Sequence, residues 1–158
     1  MAIISFENIA GDNDIVAIPD GYRHFLWNNF WAWDDEVNPN SGAYSVIHSG
    51  EASAFNKDEK QANFKSPDRN DDFDLNSGYF ASFLTPDLQV RVVGYDDGKK
   101  VATKLLILDT DQEFVRFGPN FDDIDKVTFA ASGGTDPNPS DDFPPIHIFG
   151  VDDLFLNL

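Results

Sequence analysis

The apolar residues of this chain come in short runs rather than helical stripes, and Gly, Pro, Asn and Asp cut them about every ten residues. A surface helix repeats its apolar positions every 3.6 residues and a strand every two, so this punctuation calls for many short antiparallel strands in a sandwich or barrel. Strands are expected over residues 2–6, 15–18, 25–33, 44–48, 52–55, 62–64, 76–84, 88–95, 100–108, 114–117, 126–131, 146–149 and 153–157. The clearest pair is 88–95 with 100–108, joined by Asp96-Asp97-Gly98-Lys99. Asp-Gly suits the two central positions of a type I′ turn, which both need positive φ. Segments 56–72 and 132–145 read as long loops, the second because Pro, Gly and Asp oppose ladder formation. No repeat or linker interrupts the pattern, and 158 residues suit a single domain, 1–158, with its own core.

Charge narrows the function classes. With 28 acidic residues against 11 basic ones the net charge is −17, which argues against nucleic acid and anionic membrane surfaces as partners. Neutral or cationic ligands are favoured, and divalent cations are natural companions. The chain has no cysteine, hence neither a disulfide frame nor a thiolate metal site. No apolar run approaches the length of a membrane span, and residues 1–4 lack the basic start and apolar stretch of a signal peptide. Cytoplasmic residence, export without a signal, and a removed signal all fit.

All three Trp residues fall within seven positions, in Leu26-Trp27-Asn28-Asn29-Phe30-Trp31-Ala32-Trp33. In an unbroken strand Trp27, Trp31 and Trp33 share one face, with Leu26, Phe30 and Ala32 on the other. Such a face is either sandwich core or a platform for a sugar ring, which stacks its C–H face on an exposed indole beside hydrogen-bonding groups. Trp27 reads as core, whereas Trp31 and Trp33 suit either role. With Tyr22 and His24 from the preceding Pro-Asp-Gly turn, and Asn28 and Asn29 at the border, they form the expected carbohydrate-binding surface.

Motifs outside that segment carry a resemblance. In order they are Ile4-Ser5-Phe6-Glu7-Asn8, Ile18-Pro19-Asp20-Gly21-Tyr22, Trp27-Asn28-Asn29-Phe30, Phe73-Asp74-Leu75-Asn76-Ser77-Gly78-Tyr79-Phe80, Leu88-Gln89-Val90-Arg91-Val92-Val93-Gly94-Tyr95, Phe121-Asp122-Asp123-Ile124-Asp125-Lys126-Val127-Thr128-Phe129, Ser132-Gly133-Gly134-Thr135 and Val151-Asp152-Asp153-Leu154. Together they resemble a family of extracellular sandwich proteins found among bacterial proteins with PEP-CTERM sorting tails and in fungal secretomes. The likeness spans nearly the whole chain. This chain lacks the sorting tail and adds Trp31 and Trp33 to the pattern.

More broadly, the bracket of Phe6-Glu7 and Asp152-Asp153-Leu154 looks like the galactose-binding-like jelly rolls of many carbohydrate-binding modules. The resemblance implies a structural Ca²⁺ held by Glu7 and by Asp152 or Asp153, with backbone carbonyls. Alternation with Leu154, Leu156 and Leu158 gives Asp152 inward parity, and an inward carboxylate is costly unless paired or metal-bound. The other reading makes Asp152-Asp153 a solvated turn before the last strand.

Nothing singles out a catalytic centre. The acids occur in many short clusters, without the EF-hand pattern and without a distinguished pair for glycoside hydrolysis. His24, His48 and His147 sit at no metal-ligand spacing, and neither HExxH nor GxSxG occurs. Each is expected to be a hydrogen-bonded strand or loop residue. The leading expectation is a non-catalytic extracellular carbohydrate-binding module stabilised by calcium. The alternatives are an acidic calcium-binding structural or adhesive protein, and a polysaccharide-degrading enzyme on a jelly roll.

Overall fold

A computed structural model describes residues 1–11, 14–34 and 42–158. The chain forms β1 (Ala2–Ile4), β2 (Ile15–Ala17), β3 (Leu26–Asn28), β4 (Phe30–Asp34), a short helix α1 (Gly42–Val46), β5 (Ala52–Asn56), β6 (Ala62–Lys65), β7 (Asp74–Ser82), β8 (Leu88–Asp96), β9 (Lys99–Leu108), β10 (Glu113–Arg116), β11 (Lys126–Ser132) and β12 (Phe149–Asn157). A seven-stranded sheet runs β10-β7-β12-β5-β4-β2, with β1 also on β12, and a five-stranded sheet runs β3-β6-β11-β8-β9. Every pairing is antiparallel. The result is the expected antiparallel β-sandwich, in which the first and last strands pair through Ala2–Leu156 and Ile4–Leu154.

The core between the sheets is aromatic. Phe30, Phe80 and Phe149 come from one sheet and Phe64 and Phe129 from the other, all of them essentially inaccessible to solvent. Their rings meet across the sandwich: Phe30–Phe129 at 5.5 Å edge-on and Phe129–Phe149 at 5.8 Å stacked. Such contacts add to the burial of the rings themselves. At the β8–β9 hairpin Asp97 (φ 50°) and Gly98 (φ 79°) occupy the turn between the paired Asp96 and Lys99, as Asp-Gly requires.

Three expectations are corrected. Residues 25–33 are two strands, because Asn29 takes φ 57° and hands the chain from the five-stranded sheet to the seven-stranded one. Its side-chain amide donates to the carbonyls of Lys57 (2.9 Å), Lys60 and Gln61 (3.3 Å each), which fixes the corner. Segment 44–48 lies partly in α1 instead of a strand, with Val46 buried above Gly150 and beside Phe83. Asp152 and Asp153 stand inside β12 rather than before it, at a bulge where Asp153 takes φ 44°. That bulge resets the alternation: Val151 and Leu154 both face the core, and Asp152, opposite Tyr79, faces outward. Asp152 is nonetheless fully buried, because segment 48–49 covers it.

Candidate functional site

The turn at Asn29 divides the Trp segment. Trp27 points inward, 8% exposed, with Phe6, Phe25, Phe30 and Phe64 around it and its indole N–H donating to the Tyr22 carbonyl at 2.8 Å. Tyr22 belongs to the same packing, its ring against Phe6 and Trp27. Trp31 and Trp33 project from the outer face of the other sheet, half-buried in a small cluster with Phe55, Phe83 and Ile148. The Lys57 ammonium lies 5.4 Å from the centre of the Trp31 ring, and Trp33 packs on Phe55 and Phe83. His24 is exposed and faces Asp71 at 3.6 Å, and Asn28 points outward from β3. Tyr22, His24, Asn28, Asn29, Trp31 and Trp33 therefore do not form one surface. The expectation failed because it assumed an unbroken strand, and the amide chemistry of Asn29 is what breaks it.

The acids of the expected calcium clasp all reach one loop, residues 48–52. Asp152 Oδ2 accepts from the His48 and Ser49 amides (2.7 and 3.0 Å), and its Oδ1 accepts from the Asp153 amide at 2.8 Å. Asp153 Oδ1 accepts from the Ser49 hydroxyl at 2.8 Å. Glu7 Oε1 accepts from the Glu51 and Ala52 amides, both at 3.1 Å. Burial pushes the Asp152 carboxyl up to about 7; the Ser49, His48 and Asp153 amides oppose that rise and the neighbouring Asp153 charge adds to it. Asp152, already holding three N–H donors, is a clamp for the loop. Glu7 and Asp153 keep unoccupied lone pairs and offer only hard oxygens, the ligand type Ca²⁺ takes, but Glu7, Asp152 and Asp153 do not bring three carboxylate oxygens within 4.8 Å of one another. Elsewhere, Asp96, Asp97 and Asp125 bring carboxylate oxygens within 4.8 Å of one another at the hairpin end, where Asp125 also accepts from the Asp97 amide.

The outer face of the five-stranded sheet was not anticipated. Register places Asn28 opposite Asn63, Asn63 opposite Thr128, and Lys65 opposite Lys126 across β3, β6 and β11. A cleft of about 360 Å³ opens there, lined by Asp20, Asn28, Asn63, Lys65 and Lys126 with the edge of Trp27. A second of about 310 Å³ shares Leu26, Lys65 and Lys126 with it and runs to Arg69 and Asp97. Asn28 and Asn63 use neither side-chain amide in a hydrogen bond to any described residue. Strand parity could have shown this face, since Asn63, Lys65, Lys126 and Thr128 occupy alternate positions.

The opposite sheet has a larger hollow of about 590 Å³ containing Tyr79, Phe114, Phe155 and Arg116. Its rings are already engaged: His48 stacks on Tyr79 at 3.6 Å, and the Arg116 guanidinium lies over Phe114 at 5.5 Å. His48 makes the expected hydrogen bond, its ring to Gln112, and the His147 backbone N–H donates to Glu59, whereas His24 only faces Asp71.

The fold is a two-sheet antiparallel β-sandwich. The chain is similar in structure to a DUF4465 family protein from Bacteroides ovatus (9% identity over 97% of this chain and 92% of that one, TM-score 0.52). It is also similar to the K2 cleaved adhesin domain of Lys-gingipain (10% identity, 99% and 97% covered, TM-score 0.54). A carbohydrate-binding module, TmCBM61 in complex with β-1,4-galactotriose, aligns more loosely (12% identity, 88% and 94% covered, TM-score 0.44). At such identities the likeness concerns the fold alone. No family model and no curated protein matches the chain. No helix among the described residues is long and apolar enough to cross a membrane.

Proposed function

We propose that this chain is a non-catalytic extracellular module that binds a carbohydrate on the outer face of its five-stranded sheet. The observation that carries the reading is the cleft over β3, β6 and β11, where Asn28 and Asn63 present unused amides beside Lys65 and Lys126. An amide offers a donor pair and an acceptor, which matches the paired hydroxyls of a sugar ring. The Trp31–Trp33 patch is the weaker site, since neighbouring side chains already cover its rings. In this reading the chain stands with the extracellular sandwich proteins that its motifs resemble.

Affinity electrophoresis on a panel of polysaccharides tests the assignment. Asn28→Ala and Asn63→Ala are expected to abolish retardation while leaving the melting temperature within a degree or two, and Trp31→Ala to leave retardation intact. Retardation unchanged in both Asn variants refutes the site. A reducing-end assay on the same polysaccharides checks the non-catalytic assignment, which release of new ends would overturn.

A bound Ca²⁺ between Glu7 and Asp153 belongs to the same proposal, as a brace and not as part of the ligand site. It would supply positive charge beside two adjacent buried acids that no Lys or Arg meets among the described residues. A ligand that binds only the folded state stabilises it by about 2.7 kcal/mol at a hundredfold excess over Kd. Adding calcium to chelator-treated protein is therefore expected to raise the melting temperature, and Glu7→Gln to remove that rise. Identical melting with calcium and with chelator refutes the brace.

A further inference from the structure

The charge of the chain is unevenly distributed over its surface. Although the chain contains 28 acids, no Asp or Glu occupies an outward strand position of the five-stranded sheet. Those positions carry Lys65, Arg91, Lys100 and Lys126, four of the 11 basic residues. Lys65 and Lys126 are direct cross-strand partners, an arrangement that destabilises a sheet. Among the described residues no carboxylate forms an ion pair with any of the four, and the Lys126 ammonium lies only against the Tyr95 ring, 5.7 Å from its centre. Register sets Tyr95 opposite Lys126 and Arg91 opposite Ala130, so Arg91 lies four residues further along, about 13 Å at 3.3 Å per residue. That separation suits a chain of sugars and not a single ring.

We infer that this face binds an anionic polysaccharide, one whose uronate carboxylates meet the Lys65–Lys126 pair and Arg91 while its hydroxyls meet Asn28 and Asn63. The inference rests on the carbohydrate reading above and adds the ligand's charge. The net charge of −17 does not oppose it, because acids more than about 8 Å away are largely screened at physiological salt. A duplex nucleic acid is disfavoured: it carries one charge per roughly 1.7 Å, and the clefts are rimmed by Asp20, Asp97 and Asp125. A polyuronate carries one carboxylate per sugar, so it can place some of them over the cations and turn others away from that rim.

The test uses the full chain with polygalacturonate, its fully methyl-esterified form, a neutral galactan and single-stranded DNA, measured by affinity electrophoresis and calorimetry. Polygalacturonate is expected to bind about tenfold or more tighter than the ester, through charge-assisted contacts that weaken as salt rises. Lys126→Gln and Lys65→Gln should each reduce polygalacturonate affinity several-fold without changing affinity for the ester. Each should also raise the melting temperature slightly, by relieving the opposed charges. Lys60→Gln, off this face, should alter neither property. Equal affinity for acid and ester overturns the inference but leaves carbohydrate binding standing. No binding to any polysaccharide overturns both, and DNA bound as tightly as polygalacturonate overturns the choice of a glycan.

Discussion

Gly50 lies in the segment that Glu7, Asp152 and Asp153 hold by hydrogen bonds, and replacing it with Ala acts on two counts. Its φ is +65°, a region that costs an L-residue roughly 1–2 kcal/mol. A Cβ there would also collide with the Glu7 carboxyl group, whose Oε2 would lie at 2.7 Å. A glutamate tip would ordinarily swing aside at little cost, but this one accepts from the Glu51 and Ala52 amides. Hydrogen bonds to charged groups are worth about 1.5–3 kcal/mol when buried, and partial exposure here reduces their joint worth to roughly 1–2 kcal/mol. Gly50→Ala should therefore destabilise by about 2–4 kcal/mol, read as a lowered urea midpoint at constant m-value. The Glu7→Ala variant should lose about 1–2 kcal/mol on its own. In the double variant no carboxylate remains to be displaced, so the cost should fall about 1–2 kcal/mol short of the sum. A sum that is additive within 0.5 kcal/mol, as for independent sites, would refute the contact as the origin of the effect.

Asp152 makes stability depend on pH. Its folded value of about 7 lies above the ordinary 3.8, so between those values the folded protein keeps a proton that the unfolded chain has lost. In chelator, stability should thus fall as pH rises from 4 to 7, by at most about 4 kcal/mol at 1.36 kcal/mol per unit, and urea midpoints of Asp152→Asn should lack that share of the slope. Gly98→Val should cost about 1–2 kcal/mol through backbone strain alone, since no atom lies within 4 Å of the added Cβ; no change in the urea midpoint would place the turn elsewhere. Trp27→Ala should cost about 3–5 kcal/mol as a core truncation and Trp31→Ala much less, and equal losses in thermal melts would contradict their division between core and surface.

Most of the strand plan was legible because alternation and turn residues are local signals. The β8–β9 hairpin follows from Asp97-Gly98, and the Gly/Pro-rich stretch after β11 stays irregular as its composition requires. The features that decide the site were not legible, since each depends on one residue leaving the local pattern. Asn29 enters the left-handed region because its amide finds three distant carbonyls, which reverses the facing of Trp31 and Trp33 relative to Trp27. Asp153 does the same within β12 and turns Asp152 outward beneath the 48–49 loop. Segment 44–48 has the β-branched and aromatic content of a strand, yet its valine is needed above Gly150. In all three places tertiary partners outweighed local preference.

The net charge misled in a different way, since a sum over the chain says nothing about where the charges lie. Asp favours turns and caps, where its short side chain bonds nearby amides, as Asp68, Asp136 and Asp141 do here. Acids recruited for loop chemistry gather at the ends and rims of a sandwich, and here they leave the outer face of the five-stranded sheet free. The outward positions of the seven-stranded sheet are partly covered by α1 and by the Trp31–Trp33 cluster, whereas those of the five-stranded sheet carry Lys, Arg and Asn over β3, β6, β8 and β11, with exposed Leu105 and Ile107 on the edge strand β9. A sandwich can therefore be strongly acidic overall and present one cationic, hydrogen-bonding face. The opposed lysines on that face reduce stability, and an anionic ligand laid across them would remove their repulsion.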